Sequence, residues 1–205
     1  MECSADQKMP NNLNIVKPSP KEVKNYLKLW DSLENYTLQE SSLNKLFSKT
    51  YPLNNNLDDV LIKVCSLNDF YSTNIFSPFT VAKHIVALKI DNNLAKDDLE
   101  IVNKIANVRM NSDKSINFYS FATKYCSHHK QTVYPIYDSY VEKMLMYFKK
   151  RDNFADFSRK DLKLYTKFRE ILMKFREYYG LKQFNLKQID QYLWQAGKKY
   201  FPRKY

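Results

Sequence analysis

Asp138 stands where the sequence changes from a short loop containing Pro135 to an apolar helix pattern. A carboxylate beside a sugar can stabilise the positive charge that develops when an N-glycosidic bond breaks, and it can orient or deprotonate a water molecule. A helix N-terminus favours the ionised form of that carboxylate. The position also suits a plain N-cap, because Asp is favoured there and Ser139 with Glu142 could form a capping box. Asp138 is therefore a candidate catalytic residue with a structural alternative.

Lys124 is a second candidate catalytic residue. It lies one turn beyond Ser120 on the helix pattern that precedes the loop, and residues four apart share a helix face. A lysine amine can form a Schiff base with a sugar and nick the strand. The simpler interpretation is an exposed lysine on the surface of a helical bundle.

The segment around these residues resembles the helix-hairpin-helix DNA glycosylase superfamily. In that family the second helix of the hairpin is followed by a short loop and the pattern V-D-T-H-V, whose Asp is catalytic, and here residues 136–141 (Ile-Tyr-Asp-Ser-Tyr-Val) take that place. Ser120 lies 18 residues before Asp138, where bifunctional members carry a lysine nucleophile. The resemblance covers about residues 94–145. It implies a glycosylase that uses Asp138, hydrolyses the base from the sugar and leaves the strand intact.

Two features depart from the pattern of this family. Its hairpin usually reads L-P-G-V-G, whereas residues 114–118 read Lys-Ser-Ile-Asn-Phe, with no glycine to bring backbone N–H groups close to a phosphate. The cysteine cluster of the iron–sulfur members is absent, and neither a metal nor another cofactor is expected. Under this interpretation Ser115 caps a helix that continues to His128, and the Lys114 side chain lies near a DNA phosphate.

The positive charge of the chain is concentrated at one end. The formal net charge is +11, and residues 143–205 carry all of it, with 17 basic and 6 acidic side chains. A one-sided basic region suggests an anionic partner, most simply nucleic acid, although a solvated helix face has the same composition. The candidate DNA-binding residues are Lys114, Ser115, Ser120, His129, Lys130, Lys149, Lys150 and Arg151.

A glycosylase also needs a pocket for a flipped base, because a duplex hides the glycosidic bond. Aromatic rings can stack on an extruded base, and two tyrosines flank the loop proline near Asp138. The polar and aromatic run 71–76 could line the pocket or wedge into the duplex, and a plain connector is the simpler interpretation. With 16 tyrosines in the chain, core packing also explains the loop tyrosines. The candidate pocket residues are Tyr71, Asn74, Tyr134 and Tyr137, whereas Trp194 is interpreted as a core anchor.

The elements that must position these residues are predicted to be helical. Only two glycines are present, which excludes glycine-rich phosphate loops and disfavours a β fold built on glycine turns. Apolar spacing predicts an all-α, compact bundle of eight to ten helices, arranged as two interleaved lobes around a cleft. Ser19 and Thr37 predict helix starts, and Gly180 and Gly197 predict helix ends. Residues 1–18 are expected to form an extended arm and residues 19–205 a single domain.

Cysteine use and hydropathy bear on where the protein works. The three cysteines are too widely spaced for a disulfide framework or a metal site, and the apolar helix faces around Cys65 and Cys126 predict reduced core residues. No apolar run approaches the ~18 residues of a membrane helix, and no signal peptide opens the chain. We expect a soluble, cytoplasmic monomer that binds double-stranded DNA and no membrane.

Two other functions fit the same sequence. One is a non-catalytic helical DNA-binding protein that keeps the fold, which the missing hairpin glycines favour. The other is a helical protein–protein adaptor, which requires a large exposed apolar patch. An Asp138 that faces an open, basic cleft would favour the enzyme over the first alternative. The excised base, damaged in repair or modified in phage DNA, is not readable from the sequence, although a bulky base would need a roomier pocket.

Overall fold

The computed structural model describes residues 14–110 and 114–202, and these are mostly helical. The ten α-helices are α1 (Pro20–Asp31), α2 (Glu34–Lys45), α3 (Leu57–Tyr71), α4 (Pro78–Leu88), α5 (Asp91–Ala95), α6 (Glu100–Ala106), α7 (Tyr119–His129), α8 (Ser139–Asp152), α9 (Tyr165–Tyr178) and α10 (Leu186–Tyr200). A π-helical turn, Leu46–Thr50, continues α2, and a 3-10 turn, Asp161–Lys163, precedes α9. The predicted all-α class with eight to ten helices is confirmed.

The connection between α6 and α7 differs from the expected helical hairpin. Strands β1 (Asn107–Arg109) and β2 (Ser115–Asn117) pair antiparallel, and Val108 is buried between exposed neighbours. This alternation is typical of a half-buried strand. Because α7 begins only at Tyr119, Ser115 lies in a strand and the predicted helix cap there is wrong.

Helix ends follow the sequence signals at some positions. Ser19 caps α1, where its hydroxyl accepts a hydrogen bond from the Glu22 backbone N–H. Gly180 adopts a φ of +65° just after α9, as a helix-ending glycine does. Thr37, in contrast, lies inside α2, and its hydroxyl donates to the Leu33 carbonyl oxygen. The predicted helix start at Thr37 is therefore wrong.

Gly197 lies inside α10 and not at its end. An added Cβ at this position would lie 2.7 Å from the Tyr140 Cβ and 2.8 Å from the Tyr140 backbone oxygen. The residue is glycine because α8 and α10 cross this closely, so the predicted helix end is wrong. The crossing fixes how α10 sits beside the N-terminus of α8.

The buried hydrophobic residues form a continuous cluster through the described bundle. Helix α10 packs against α1 and α8, α3 packs against α4, and α6 packs against α7. The described end of the predicted arm joins this core, since Ile15 is buried and its backbone N–H donates to the Tyr147 hydroxyl. The earlier part of the arm lies outside the described residues.

Cys126 is buried, as predicted, whereas Cys65 is exposed and its predicted core position is wrong. None of the described helices combines the length and the apolar character needed to cross a bilayer.

Candidate active site

A pocket of about 290 Å³ lies among α1, α2, α3, α7, α8 and α10. Three of the residues singled out in the sequence line it, namely Tyr71, Lys124 and Asp138. The remaining polar and aromatic lining residues are Trp30, Tyr36, Gln39, Glu40, Phe70, Ser72, Tyr140, Lys187, Asp190, Gln191, Trp194 and Lys198. The fold thus brings together side chains that are more than 160 positions apart in the sequence.

Lys124 is only 4% exposed, so the surface-lysine interpretation is wrong. Its Nζ donates to the Ser120 Oγ at 2.5 Å and to the Ser120 carbonyl oxygen at 3.3 Å. Burial lowers the pKa of this amine, while the negative charges of Asp138 and Asp190 act in the opposite direction. A lysine that loses its proton more readily is a better nucleophile near neutral pH.

Ser120 holds this amine in place. Besides accepting the bond from Lys124, the Ser120 hydroxyl donates to the Tyr137 carbonyl oxygen at 3.1 Å. It thereby connects α7 to the loop that carries Asp138. Ser120 acts as a positioning residue in the structure, and its predicted DNA contact stays a prediction.

Asp138 is a helix cap that also lines the pocket. Its Oδ1 accepts a hydrogen bond from the Tyr140 backbone N–H at 2.7 Å, so it caps α8. The same residue lines the pocket, and three lysines, Lys124, Lys187 and Lys198, line it as well. The carboxylate is thus both a cap and part of the pocket lining. The three lysines of the pocket are matched there by three acidic side chains, Glu40, Asp138 and Asp190, so the expected basic cleft is not what the structure has.

Asp190, on α10, is a functional candidate that the sequence analysis missed. It is 6% exposed and lines the pocket with Lys124 and Asp138. Within the described ranges, its carboxyl group takes part in no hydrogen bond or ion pair. Burial raises the pKa of Asp190 to about 7, against the opposing charge of Lys187. The sequence signal that could have identified Asp190 was an acidic residue directly beside the apolar stripe of a basic helix.

An ion pair neutralises the third acidic group of the pocket. Lys187 Nζ lies 2.6 Å from Glu40 Oε1, and both side chains are largely buried. Glu40 is therefore committed to a partner, whereas Asp138 and Asp190 form no ion pair with any described residue. The described residues contain no cluster of three His, Cys, Asp or Glu side chains that could hold a metal ion.

One wall of the pocket is aromatic. The rings of Trp30 and Tyr36 stack with centroids 6.0 Å apart, and both meet Trp194 edge to face, at 5.8 and 5.2 Å. Such rings can stack on a flat heterocycle. Trp194 packs against the hydrophobic core while partly buried, and its neighbour Leu193 is fully buried, as a core anchor requires; Trp194 also lines the pocket. No local sequence pattern predicts this wall, because its members come from helices at opposite ends of the chain.

A buried histidine holds Tyr71 at the pocket. The Tyr71 hydroxyl lies 3.0 Å from His128 Nε2, and His128 Nδ1 lies 2.9 Å from the Asn44 Oδ1. Because an amide oxygen only accepts, Nδ1 carries the proton and Nε2 accepts from the hydroxyl of Tyr71. Burial lowers the pKa of His128 to about 3, so its ring is neutral. The Tyr71 ring is thereby fixed with its centroid 5.4 Å from Lys124 Nζ.

The other candidate pocket residues lie elsewhere. Tyr134 is fully buried in the core, and its hydroxyl donates to the Asp98 carbonyl oxygen at 3.2 Å. Tyr137 is also a core residue, and its hydroxyl bonds to Glu142. Asn74 is exposed on a loop, with a φ of +58°, and lies outside the pocket lining. Core packing accounts for both tyrosines, and these three pocket assignments are wrong.

His129 does not present a charge to a phosphate. Its Nε2 lies 3.2 Å from the Asn54 Oδ1, an oxygen that also accepts from Lys63 and Tyr125, each at 2.6 Å. Burial, reinforced by the nearby charge of Lys63, lowers the pKa of His129 to about 3. The ring is neutral and belongs to a buried network, so its assignment as a phosphate contact is wrong.

The remaining DNA-binding candidates fall into two groups. Three are engaged with acidic partners in the chain, namely Lys130 with Asp97, Lys149 with Asp156 and Arg151 with Asp152. Lys114 and Lys150 are exposed. Their contacts with DNA stay predictions.

The run 71–76 is a structured loop beside the pocket. The Asn68 Oδ1 accepts from the Ile75 backbone N–H at 2.9 Å and from the Thr73 hydroxyl at 2.8 Å. Ser72 lines the pocket next to Tyr71, whereas Phe76 is 95% exposed. The start of the run therefore lines the pocket, and insertion of its end into a duplex stays a prediction.

The comparisons with known proteins identify a family. The HI_0787_N model, described as an N-terminal domain, matches residues 22–133. A Haemophilus influenzae (strain ATCC 51907 / DSM 11121 / KW20 / Rd) protein named "Uncharacterized protein" is 49% identical over 148 residues, which are 72% of this chain and 70% of that protein. No solved structure matches the chain. The family match includes Lys124 but ends before Asp138 and Asp190, so it holds part of the pocket. The chain belongs to the HI_0787_N family.

Proposed function

We propose that the pocket is the active site of a DNA glycosylase that releases a flipped base. One observation carries the proposal: a buried amine, Lys124, and a helix-capping carboxylate, Asp138, line the same aromatic-walled pocket. The amine suits nucleophilic attack on a sugar, and the carboxylate suits stabilisation of a sugar cation. The aromatic wall suits a flat base that has left the duplex.

In this reaction Asp138 stabilises the positive charge that develops on the sugar as the bond to the base breaks. The amine of Lys124 bonds to the sugar carbon, and opening of the sugar ring leaves a Schiff base from which the strand can be cut. The buried position of Lys124 supports this route over direct attack by water. The sequence favoured attack by water, because it has Ser120 where bifunctional members of the superfamily carry a lysine nucleophile. These steps use only side chains of this chain.

The size of the pocket supports a base of ordinary dimensions. Its volume of about 290 Å³ lies just below the roughly 300–1,000 Å³ that small-molecule pockets enclose. A heavily modified base with a bulky substituent would need more room. The volume therefore favours a repair substrate over a hypermodified phage base.

A non-catalytic DNA-binding protein is the second candidate function. It is favoured by the β-hairpin, which stands where the glycosylase superfamily has its phosphate-binding helical hairpin. Under this alternative Asp138 serves only as the cap of α8, and the bond from Lys124 to Ser120 is only structural.

A panel of duplexes separates these functions. Each duplex carries one mismatched, deaminated, oxidised or alkylated base, and strand breaks are measured with and without hot alkali. We expect breaks without alkali for at least one base, because a Schiff base on Lys124 permits strand cutting. Breaks that need alkali would show a glycosylase that uses water in place of Lys124. Tight binding with no break on any duplex would contradict the enzyme and support the binding protein.

A further inference from the structure

We propose that Asp190 is a third catalytic residue of this pocket and donates a proton to the departing base. The inference rests on the proposed glycosylase function and adds a proton donor to it. Cleavage of the bond to a neutral base leaves a negative charge on that base. A positioned acid that neutralises this charge accelerates such steps by about 10²–10⁴-fold.

The position of Asp190 in the fold suits this role. It precedes Gly197 by two helical turns, so it lies on the same side of α10 as the residue that touches α8. That placement turns its side chain into the pocket, where Lys124 and Asp138 also lie. Among the acidic groups of the pocket, Asp190 is the one that forms neither a hydrogen bond nor an ion pair with any described residue.

The two carboxyl groups of the pocket that form no ion pair with a described residue, those of Asp138 and Asp190, have different environments. Asp138 accepts a hydrogen bond from the Tyr140 backbone N–H at the N-terminus of α8. Asp190 lines the pocket with no hydrogen-bond donor among the described residues, and burial raises its pKa to about 7, so near neutral pH a large share of the molecules hold a proton there. Two carboxyl groups with contrasting environments are typical of an acid and its partner in one site. The charged and titratable groups that act on Asp190 or on its neighbours are Glu40, Tyr71, Lys124, Asp138 and Lys187.

The proposed proton transfers balance. When the bond from C1′ to the base nitrogen breaks, its electron pair stays on the base, and the proton of the Asp190 carboxyl group moves to the base. The neutral amine of Lys124 bonds to C1′ and becomes a positively charged secondary ammonium. That ammonium then returns a proton to the Asp190 carboxylate. The acid is restored, the base leaves with one added hydrogen, and the enzyme stays bonded to the sugar.

The test is base release under single-turnover conditions between pH 5 and 9, on the duplex that the panel identifies. Wild-type and Asp190→Asn proteins both need the neutral amine of Lys124, so the ratio of their rates isolates the acid. The wild-type rate divided by the Asp190→Asn rate should be at least about tenfold at pH 6 and should fall by about tenfold per pH unit above pH 7, because the acid form of Asp190 is then lost. The DNA affinity of Asp190→Asn should stay within about twofold of wild type. Asp156→Asn, at an exposed aspartate, is the matched control and should behave like wild type.

A second measurement does not depend on the variant. Carboxyl carbon NMR of DNA-free wild-type protein should show one aspartate that titrates near pH 7, well above the ordinary value of about 3.9. The absence of such an aspartate would overturn the proposal. So would a folded Asp190→Asn protein that keeps the wild-type rate and pH profile, and in that case the glycosylase function would stand. A wild-type protein that releases no base from any duplex would overturn both.

Discussion

Lys124 is the residue whose chemistry depends most on where the fold places it. In water its amine would be fully protonated at neutral pH. On α7 it is buried, bonded to Ser120 and near the ring of Tyr71, and burial makes the charged form less favourable. The charges of Asp138 and Asp190 oppose this effect. Burial therefore lowers the pKa of the amine in a pocket whose acidic neighbours act in the opposite direction, and a lowered pKa suits the proposed nucleophile.

Asp138→Asn tests whether the second residue is catalytic or only a cap. Asn caps helices about as well as Asp, so the free energy of unfolding should change by well under ~1 kcal/mol. Base release should fall by orders of magnitude, because a neutral amide cannot stabilise a sugar cation, while DNA binding persists or tightens. Thermal melting and single-turnover base release of the same protein give both values.

Asp138→Ala provides the comparison. Loss of the cap should cost about 0.5–2 kcal/mol of stability whichever role is correct. A well-folded Asp138→Asn protein with full base release would contradict the catalytic role of Asp138 and leave this residue only as the cap of α8.

At the scale of the elements, the crossing of α8 and α10 sets the geometry of the pocket. Asp138 caps α8, Asp190 lies on α10, and Gly197 is the point where the two helices touch. The aromatic wall also depends on this crossing, since Tyr140 on α8 and Trp194 on α10 meet with ring centroids 6.4 Å apart.

Gly197→Ala should therefore destabilise the protein, although alanine is the better helix former. The added Cβ meets the backbone and the Cβ of Tyr140, which cannot move aside without moving α8. Overpacking of this kind costs about 1–3 kcal/mol, against a gain of roughly 0.5–1 kcal/mol in helix propensity. Denaturant unfolding measures the balance, with Lys199→Ala, on the exposed side of α10, as the control. A variant as stable as wild type would show that the helices are not held this closely.

At the scale of the whole molecule, the net charge of +11 resides in the last 63 residues, but it is partly neutralised locally. Lys149 and Arg151 interact with acidic neighbours, and Arg151 also donates to the Ile15 carbonyl oxygen. Lys187 and Lys198 line the pocket. Part of this charge therefore lies in the pocket or is paired with acidic neighbours. An exposed lysine such as Lys150 is a better residue for testing DNA binding than a paired or pocket-lining one.

Lys150→Glu should weaken binding to all duplex sequences about equally, because phosphate contacts position the protein without reading sequence. With about five such contacts, a plot of log affinity against log salt should have a slope of roughly −4 to −5, and loss of one contact should reduce it by about 1. Arg151→Glu should instead lower stability, since it breaks the contacts to Asp152 and Ile15. A wild-type slope near zero would contradict the proposed nucleic-acid partner.

Much of the helical framework was predictable from local signals, because caps and apolar spacing act within a few residues. Ser19 and Gly180 illustrate this. The β-hairpin and the interior position of Gly197 were not predictable, because strand pairing and helix crossing depend on partners that are distant in the sequence. The site was predicted in part. Asp138 was a candidate because of its place at a helix N-terminus and the family resemblance, and Lys124 because it lies one turn beyond Ser120, although a surface position was the simpler interpretation. The aromatic wall and Asp190 are assembled only when α1, α2 and α10 come together.

Borohydride trapping on a duplex with an abasic site tests the central claim most directly. The abasic sugar offers the aldehyde with which the Lys124 amine should form a Schiff base, and reduction makes that bond permanent. We expect a protein–DNA cross-link that mass spectrometry maps to Lys124, that is lost in Lys124→Met and that persists in Lys104→Met, where the lysine is exposed on α6. Folded wild-type protein that binds this duplex without a cross-link, or a Lys124→Met protein that cross-links as well as wild type, would contradict it.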